Sequence, residues 1–417
     1  ISPNALKVLY RLKNAGYRAC LVGGGVRDLM LGREPKDFDI ATDAHPDEVR
    51  GLFRNCRLIG RRFRLAHVHF GREIIEVATF RALHDDDNGA ANGDATLDDK
   101  GRILRDNAYG PIEEDAVRRD FTVNALYYDV ADFSVLDYTG GVADLEAGLI
   151  RVIGDPERRY REDPVRMLRA IRFAAKLGMR LHPDSEAPIW TLGGLLQDIP
   201  PARLFDEVLK LLMSGQSVQT FELLRHYGLF AHLFPATELA LSHEEHGFPH
   251  MLVVRALENT DARIAIGKPV TPAFLYAALL WEPLRERFQP TVDQGTAEHE
   301  ALQLAADELL REQNEATSIP RRFSLPMREI WSLQSRLRQR SGKRAWRVFE
   351  HPRFRAGYDL MLLRNEAGED LEELSEWWTR FQDVDEAEAK RMTTGSDGSA
   401  KPRRRRPRRR RSSEQVG

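Results

Sequence analysis

The stretch Leu21-Val-Gly-Gly-Gly-Val-Arg-Asp28, together with Lys36-Asp-Phe-Asp-Ile40, says most about the fold of this chain. Residues 17–22 favour a strand, and the glycines then turn the chain into a helix predicted at residues 26–31. A helix that opens on a glycine turn leaves backbone N–H groups free at the positive end of its dipole. The pattern therefore predicts an anion site that suits a triphosphate, with Arg27 nearby to neutralise a phosphate.

Two aspartates follow this turn by about ten residues. Asp37 and Asp39 are two apart on a strand predicted near residues 37–41, so their side chains should share one face. Phe38 and Ile40 then point to the other face, where they can be buried. Two carboxylates this close repel each other unless a cation lies between them. Mg²⁺ is the natural occupant, because it takes oxygen ligands and substrate phosphates.

A third constellation lies in Glu162-Asp-Pro-Val-Arg-Met-Leu-Arg169. Asp163 stands where a helix should begin, and the proline after it fits the first helical position. Arg166, Arg169 and Arg172 recur every three residues and form a stripe along one helix face. Because Asp163 accepts and Arg166 donates hydrogen bonds, the two together could read the edge of a nucleobase.

These motifs resemble the class II nucleotidyltransferases, the family of tRNA CCA-adding enzymes and bacterial poly(A) polymerases. The resemblance extends over roughly residues 5–235, and its further motifs follow in the family's order. They are Arg118-Arg-Asp-Phe-Thr-Val-Asn-Ala125, Asp137-Tyr-Thr-Gly-Gly-Val-Ala-Asp-Leu145, and the 162–169 stretch continued by Ala170-Ile-Arg-Phe173.

The resemblance implies a role for individual side chains. It implies catalysis by Asp37, Asp39 and Asp120, with Asp37 and Asp39 as ligands of Mg²⁺ or Mn²⁺ and ATP as substrate. It implies triphosphate contacts from Gly24 and Arg27, a nucleotide contact from Arg119 and base recognition by Asp163 and Arg166. We add Arg169 and Arg172, on the same helix stripe, to the predicted nucleotide-binding residues.

The carboxylate that completes the set stays open between two residues. Glu76 lies on a predicted strand, Ile74–Phe80, opposite in face to its neighbours, whereas Asp120 lies in the Arg-Arg-Asp motif. We favour Asp120 and keep Glu76 as a possible site residue.

Residues 65–70 and 73–80 are predicted strands, with Gly71 and Arg72 as a possible hairpin turn. His67 and His69 alternate on the first of these strands, and we expect a structural or RNA-contacting role for them rather than metal binding.

The predicted fold is α+β: a mixed α/β nucleotidyltransferase head, an all-helical neck and body, and a disordered basic tail. The head spans 1–141 and includes an acidic, mobile loop at 84–101, which holds six aspartates. The neck, 142–235, should bind the nucleotide base and RNA, and the body, 236–390, should bind RNA. The tail is 391–417.

Composition excludes several classes of protein. No run approaches the roughly 18–20 apolar residues that a membrane span needs, so no membrane insertion is expected. Cys20 and Cys56 lack zinc-site spacing, and we expect reduced thiols in a cytoplasmic protein. The absence of a Gly-x-x-x-x-Gly-Lys-Ser/Thr motif argues against a P-loop kinase or ATPase.

The stretch Leu58-Ile-Gly-Arg-Arg-Phe-Arg-Leu-Ala-His-Val68 resembles a signature of bacterial poly(A) polymerases. Its arginines, Arg61, Arg62 and Arg64, could contact phosphates. Residues 401–411 carry nine positive charges and no negative one, which leaves −11 on the other 406 residues. Such a tail would bind RNA with little sequence preference.

The expected function is template-independent polyadenylation of RNA 3′ ends from ATP, with release of pyrophosphate, by two-metal nucleotidyl transfer. RNA should lie in a groove between the head and the helical body, and RNA-degradation or RNA-chaperone proteins are possible partners. One alternative is a CCA-adding tRNA nucleotidyltransferase, which shares the catalytic residues. An alternative of another class is a catalytically inactive RNA-binding protein.

Overall fold

The computed structural model describes residues 1–60, 64–83, 96–97, 103–105, 108–243 and 248–394. These residues form two compact units. The first contains 1–243, 257–270 and 310–319, and the second contains 248–256, 271–309 and 320–394. The chain passes from one unit to the other within two long helices, and the predicted body, 236–390, has residues in both units.

A seven-stranded sheet organises the first unit, with strand order β3-β4-β5-β2-β1-β8-β9. Its central pair, β2 and β5, is parallel, and the other neighbouring strands are antiparallel. Two further two-stranded sheets pair β6 with β7 and β10 with β11. The strands are β1 Ala19–Val22, β2 Asp39–Thr42, β3 Cys56–Ile59, β4 Leu65–Phe70, β5 Glu73–Thr79, β6 Thr96–Leu97, β7 Ile103–Arg105, β8 Leu126–Asp129, β9 Val135–Asp137, β10 Leu149–Ile150 and β11 Arg180–Leu181.

The hairpin predicted between residues 65–70 and 73–80 is confirmed as β4 and β5. Gly71 at the turn has φ +64°, a conformation that glycine adopts without steric cost. The strand predicted at 37–41 differs, because β2 begins only at Asp39. Asp37 therefore precedes the strand.

Each face of the sheet is covered by a different helix. Helix α1, Pro3–Asn14, buries Val8, Leu9 and Leu12 at helical spacing and contacts β1, β2 and β5. On the other face, side chains of α4, Ile112–Val117, join a core cluster with Cys20, Ala41 and other sheet residues. The central strands of the sheet are thus covered on both faces, whereas Asp39 and the outer strands β3 and β9 keep exposed side chains.

The rest of the described chain is mostly helical, as predicted. Short 3₁₀ segments occur at Thr122–Asn124 and Gly193–Asp198. The helices are α2 Gly24–Met30, α3 Pro46–Leu52, α5 Gly141–Ala147, α6 Pro156–Glu162, α7 Val165–Leu177, α8 Pro183–Glu186, α9 Ile189–Leu192, α10 Pro201–Leu212, α11 Ser217–His226, α12 Phe230–Leu233, α13 Pro235–Ser242, α14 Phe248–Ala265, α15 Pro272–Leu279, α16 Trp281–Asp293, α17 Glu298–Ala316, α18 Arg321–Arg336, α19 Gly342–Phe349, α20 Phe354–Glu366, α21 Glu372–Asp383 and α22 Glu386–Thr394.

Tryptophans build the core of the second unit. Trp331 and Trp378 are fully buried, and their indole N–H groups donate to the carbonyls of Ala277 and Leu337 at 2.9 and 2.8 Å. These hydrogen bonds satisfy the polar atom of each buried ring. Both tryptophans are therefore core residues of the second unit.

Two predicted segments fall largely outside the described residues. The acidic loop, 84–101, is described only at Thr96–Leu97, which pairs with β7. The basic tail, predicted from 391, is described as far as Thr394, where α22 ends. No helix in the described parts of the chain has the length and apolar character that a bilayer crossing requires.

Gly141 marks the closest approach between two elements of the first unit. A Cβ atom at this position would lie 2.2 Å from the Thr122 carbonyl oxygen, a contact that the backbone must move to relieve. We expect Gly141→Ala to lower the free energy of unfolding by about 1–3 kcal/mol, measured by denaturant titration. Gly51→Ala is the matched control, because α3 leaves open space there; it should be neutral or stabilising by up to about 1 kcal/mol. Equal stability of the two variants would contradict the close approach.

Candidate active site

One row of side chains crosses all seven strands of the main sheet. Register pairs Arg57 with His67, His67 with Glu76, Glu76 with Asp39, and Asp39 with Val22. The row continues from Val22 through Tyr127 to Leu136. Directly paired residues point to the same face of a sheet. The polar half of the row therefore brings Asp39, Glu76 and His67 together on the face that α4 partly covers.

The acidic end of this row is short of positive charge. Loss of water around the carboxylate raises the pKa of Asp39 to about 6, and the Glu76 and Asp37 carboxylates raise it further. Arg119 and His67 oppose this effect but do not outweigh it. Asp37 is adjacent although it lies outside β2: its carbonyl oxygen would be 3.5 Å from a Cβ at Gly25. The arrangement is one that a bound cation would relieve.

His67 contacts the acidic cluster directly. Its Nε2 lies 3.2 Å from Glu76 Oε2, and its ring is 6.3 Å from that of His69 in an edge-on arrangement. The Glu76 side chain is 40% exposed, so this pair is partly screened by water. The position supports the prediction that His67 serves a structural or RNA-contacting role.

Two arginines flank the glycine turn. A Cβ at Gly23 would lie 3.6 Å from Arg119 Nη1, and one at Gly24 would lie 3.5 Å from Arg27 Nη2. Gly23 has φ +72°, so the tight turn itself favours glycine. The missing side chains thus leave the backbone open between two guanidinium groups, beside Asp39.

Both arginines are held in place by neighbours. Arg27 is 2% exposed; it donates to Asp28 at 2.8 Å and to Asn124 Oδ1 at 2.5 Å. Arg119 donates to the Tyr127 hydroxyl at 2.9 Å and to Asp115 at 3.1 Å. These bonds fix where the positive charge lies, and they also mean that an incoming phosphate would share Arg27 with Asp28.

Asp120 lies apart from the acidic row. Its Oδ2 accepts a hydrogen bond from Arg169 Nε at 2.9 Å and a shorter contact from Nη2, and its Oδ1 accepts from the Phe121 N–H at 2.8 Å and from Asn124 at 3.3 Å. Burial would raise the pKa of Asp120, but the Arg169 guanidinium outweighs burial, and the pKa falls below its ordinary value. The structure therefore brings Glu76 to Asp39 and commits Asp120 to an ion pair.

A cavity of about 300 Å³ opens beside this ion pair. The two residues predicted to read the base, Asp163 and Arg166, both line this cavity and lie three residues apart in the sequence. Asp163 Oδ2 accepts from Arg203 at 2.8 Å, whereas Arg166 donates to the Arg159 carbonyl at 2.6 Å. The lining residues are Arg119, Asp120, Asp163, Val165, Arg166, Arg169, Arg203 and Glu207.

Arg172 is not among the residues that line this cavity. Its guanidinium lies over the Phe173 ring at 5.0 Å, and its Nε has no hydrogen-bond partner in the described structure. Burial is the largest cause that lowers its pKa, followed by the positive charge of Arg169. The Arg172 side chain is half-buried, and a buried N–H group without an acceptor is costly, so a hydrogen-bond acceptor at Nε would offset that cost.

Sequence reasoning missed three residues of this site. Asn124 was quoted within a motif but given no role, although its side chain joins Arg27 to Asp120. Arg203 and Glu207 lie some forty residues beyond Asp163 on α10, and no local spacing connects them to the motif. Their contribution appears only once the chain is folded.

Comparison with known proteins finds relatives that align with nearly the whole chain. A model of the poly(A) polymerase head domain matches residues 19–151, one of the probable RNA and SrmB-binding site of polymerase A matches 178–241, and one of the polymerase A arginine-rich C-terminus matches 294–412. The chain is 53% identical over 416 residues to Poly(A) polymerase I of Salmonella typhi, covering 98% of this chain and 89% of that protein. The chain belongs to the bacterial poly(A) polymerase family. It is accordingly a nucleotidyltransferase, which confirms the class predicted from the motifs.

Further relatives of this poly(A) polymerase family member include both poly(A) polymerases and CCA-adding enzymes. Poly(A) polymerase I of Haemophilus influenzae is 52% identical over 384 residues, 91% of this chain and 84% of that protein. A CCA-adding enzyme of Lactobacillus johnsonii is 37% identical over 225 residues, 54% of each chain. The crystal structure of Bacillus stearothermophilus CCA-adding enzyme in complex with CTP superposes with a TM-score of 0.59 at 27% identity, covering 91% of this chain and 82% of that one. The fold is therefore shared with the CCA-adding enzymes, as predicted.

The Asp120–Arg169 ion pair should stabilise the folded protein. We expect Asp120→Asn to lower the free energy of unfolding at pH 7 by on the order of 2 kcal/mol, because it leaves a partly buried guanidinium without its carboxylate. The folded pKa of Asp120 is lowered, so its contribution is complete above the unfolded pKa of about 4 and is lost as pH falls through the folded pKa.

Denaturant titrations from pH 7 down to pH 2 would check this expectation. Asp206→Asn is the control, because Asp206 is exposed on α10 and has no ion pair or side-chain hydrogen bond among the described residues. A difference between Asp120→Asn and the unaltered chain that stays constant as pH falls would contradict the ion-pair assignment.

Proposed function

We propose that this enzyme extends RNA 3′ ends with adenylates from ATP, without a template, and releases pyrophosphate. The observation that carries the proposal is the placement of Asp39 and Glu76 in one row of the sheet, beside a glycine turn flanked by Arg27 and Arg119. Carboxylates next to an anion cradle are what metal-assisted nucleotidyl transfer requires. The 53% identity to Poly(A) polymerase I over 89% of its length supports adenylate addition in particular.

The glycine turn is proposed to bind the triphosphate. Free backbone N–H groups at the start of α2 would donate to phosphate oxygens, and the guanidinium groups of Arg27 and Arg119 would neutralise them. Neither Gly23 nor Gly24 carries a side chain that would fill the space beside these guanidiniums. We propose that these residues orient the triphosphate so that its α-phosphate faces the acidic row.

The acidic row fits divalent metal ions. In the described residues, no three His, Cys, Asp or Glu side chains form a ready-made metal cage. Mg²⁺ does not need one, since it is usually held by one or two carboxylates with substrate phosphates completing the shell. Burial and the neighbouring Glu76 and Asp37 carboxylates raise the pKa of Asp39, which supports the binding of a cation beside it. We therefore propose Asp37 and Asp39 as ligands of Mg²⁺ or Mn²⁺, with Glu76 rather than Asp120 as the third carboxylate.

The chemistry divides between metal and protein. When bound, the metal ions would polarise the 3′-hydroxyl and stabilise charge on the phosphates. The protein's own residues position the reactants: Asp39 and Glu76 fix the acidic row, and Asp120 holds Arg169 at the cavity. No covalent intermediate with the protein is implied.

Base selection is proposed for the cavity that contains Asp163 and Arg166. Asp163 presents an acceptor and Arg166 donors, and together they can pair with the hydrogen-bonding edge of adenine. In the structure Arg203 donates a hydrogen bond to Asp163, and Arg166 donates one to the Arg159 carbonyl. A bound base would therefore exchange these partners for its own. The neck, 142–235, is accordingly proposed as the base- and RNA-binding part, with the helical remainder contributing further RNA contacts.

Nucleotide choice separates the proposed activity from its main alternative. With an unstructured RNA primer, ATP and Mg²⁺, we expect long adenylate tracts, and with CTP alone much slower addition. Product lengths on sequencing gels, with each nucleotide supplied separately, give the measurement. A tRNA lacking CCA serves as the comparison primer. Three defined additions confined to that tRNA would instead establish a CCA-adding enzyme, and no addition to either primer would favour an inactive RNA-binding protein.

Asp39→Asn should abolish incorporation while RNA binding persists. The loss should be on the order of a thousandfold or more, since metal-held charge stabilisation contributes several kcal/mol. The variant should also lose the stabilisation that Mg²⁺ gives the unaltered chain, which is about 1.4 kcal/mol when Mg²⁺ is at ten times its Kd. Thermal unfolding with and without Mg²⁺, in the absence of RNA and ATP, measures this second effect.

Thermal unfolding with and without Mg²⁺ also decides which residue supplies the third carboxylate. Glu76→Gln should lose the Mg²⁺-dependent stabilisation, whereas Asp120→Asn should keep it, because the Asp120 carboxylate is occupied by Arg169. The reverse pattern would restore Asp120 to the metal site and refute the assignment of Glu76.

A further inference from the structure

The second unit contains a stretch of twenty residues without a carboxylate. Residues 330–349 carry six positive side chains and no Asp or Glu. The stretch includes the end of α18, a short connection and all of α19. Such a run in a chain of net charge −2 is a local concentration of positive charge.

Packing directs this charge outward. Leu337, Ala345 and Val348 are buried in a core cluster with Trp378 and Phe381, which fixes the inner face of α19. Lys343, Arg344 and Arg347 stand one and four residues apart on the opposite face. Four side chains are exposed, and we call them the basic elbow: Arg338, Lys343, Arg344 and Arg347.

The basic elbow is a cluster of positive side chains without ionic partners in the part of the chain that the structure describes: none of the four has a carboxylate within 4.0 Å. Several other arginines of the unit are paired, namely Arg353 with Glu329 at 3.1 Å, Arg355 with Asp359 at 2.9 Å, and Arg340, which lies within the same stretch, with Glu373 at 2.8 Å. The elbow thus brings four unbalanced positive charges together within residues 338–347.

We propose that the basic elbow binds the phosphate backbone of single-stranded RNA, separately from the arginine-rich segment 403–411. The ligand is the RNA substrate of the proposed function, and to that extent the inference rests on it. Three of the four residues are arginines, whose planar forks match phosphate oxygens bidentately.

The surface fits RNA better than an acidic protein. Protein interfaces are centred on exposed aromatic or aliphatic anchors. No large hydrophobic side chain between residues 336 and 350 is exposed. A surface of charge without anchors is typical of backbone contacts, which carry little sequence preference.

The test is equilibrium binding of the full chain to a fluorescent, unstructured RNA across a range of salt concentrations, without ATP. The variant replaces Arg338, Lys343, Arg344 and Arg347 together with glutamine. Each phosphate contact contributes roughly 0.7 to the salt slope for a single strand. We therefore expect the slope of log K against log salt to fall by up to about 3, with binding on the order of tenfold weaker at low salt.

The matched control removes the same charge from paired sites in the same unit: Arg353, Arg355, Arg380 and Lys390, each to glutamine. The proposal predicts a clearly larger loss for the elbow variant, whereas equal losses in affinity and slope would overturn it. Cross-linking in the unaltered chain provides a second measurement. Photoreactive RNA should mark residues 338–347, and marks confined to 403–411 would also overturn the proposal. Because the assay contains no ATP, failure of RNA extension would refute the proposed function without touching this result.

Discussion

The register of three neighbouring strands is the constraint on which the candidate site depends. Asp39 begins β2, and two ladders fix its position: it pairs with Val22 in antiparallel fashion and with Glu76 in parallel fashion. A slip of one residue in either ladder would turn a carboxylate to the opposite face of the sheet. Gly25 approaches the Asp37 carbonyl closely, so the glycine turn is packed against the same register. The same strand pairing therefore positions both the acidic row and the glycine turn.

A chain of polar contacts then joins motifs that are far apart in sequence. Arg169 on α7 holds Asp120, Asp120 accepts from Asn124, and Asn124 accepts from Arg27 at the glycine turn. At the other end of this series of contacts, Asp28 accepts a hydrogen bond from Arg27. Buried polar groups are costly unless every member is satisfied, so each of these residues constrains the others. In this network the Asp120 carboxylate is paired with Arg169, which is why we propose Glu76 as the third carboxylate.

Local patterns in the sequence predicted the elements well. The hairpin of β4 and β5, the helix after the glycines and the helical remainder all follow from spacing and turn chemistry, and the structure confirms them. The patterns also identified the Asp37–Asp39 pair and the Asp163–Arg166 pair. In both cases the signal lies within a few residues, although Asp37 precedes β2, so the alternation of a strand does not by itself place it beside Asp39.

Long-range pairing is what the sequence could not supply. Sequence alone favoured Asp120 over Glu76 as the third carboxylate, but the choice depends on whether β5 lies beside β2 and whether α7 reaches Asp120. Neither fact has a local signature. Arg203, which occupies Asp163 from forty residues away, was missed for the same reason. A parallel ladder in particular needs a long connection, so its register cannot be read from a turn.

Local charge, rather than net charge, determines where such a chain binds a polyanion. Without residues 401–411 the chain is acidic, at −11, and a uniform distribution of that charge would repel RNA. At physiological salt, however, charges farther apart than about 8 Å are largely screened. A phosphate therefore responds to the side chains within about one Debye length. The basic elbow offers it four cations without competing carboxylates, whereas Arg353, Arg355 and Arg380 of the same unit are already paired. The acidic residues of the rest of the chain can then limit binding elsewhere, so that charge pairing determines where the RNA backbone can bind.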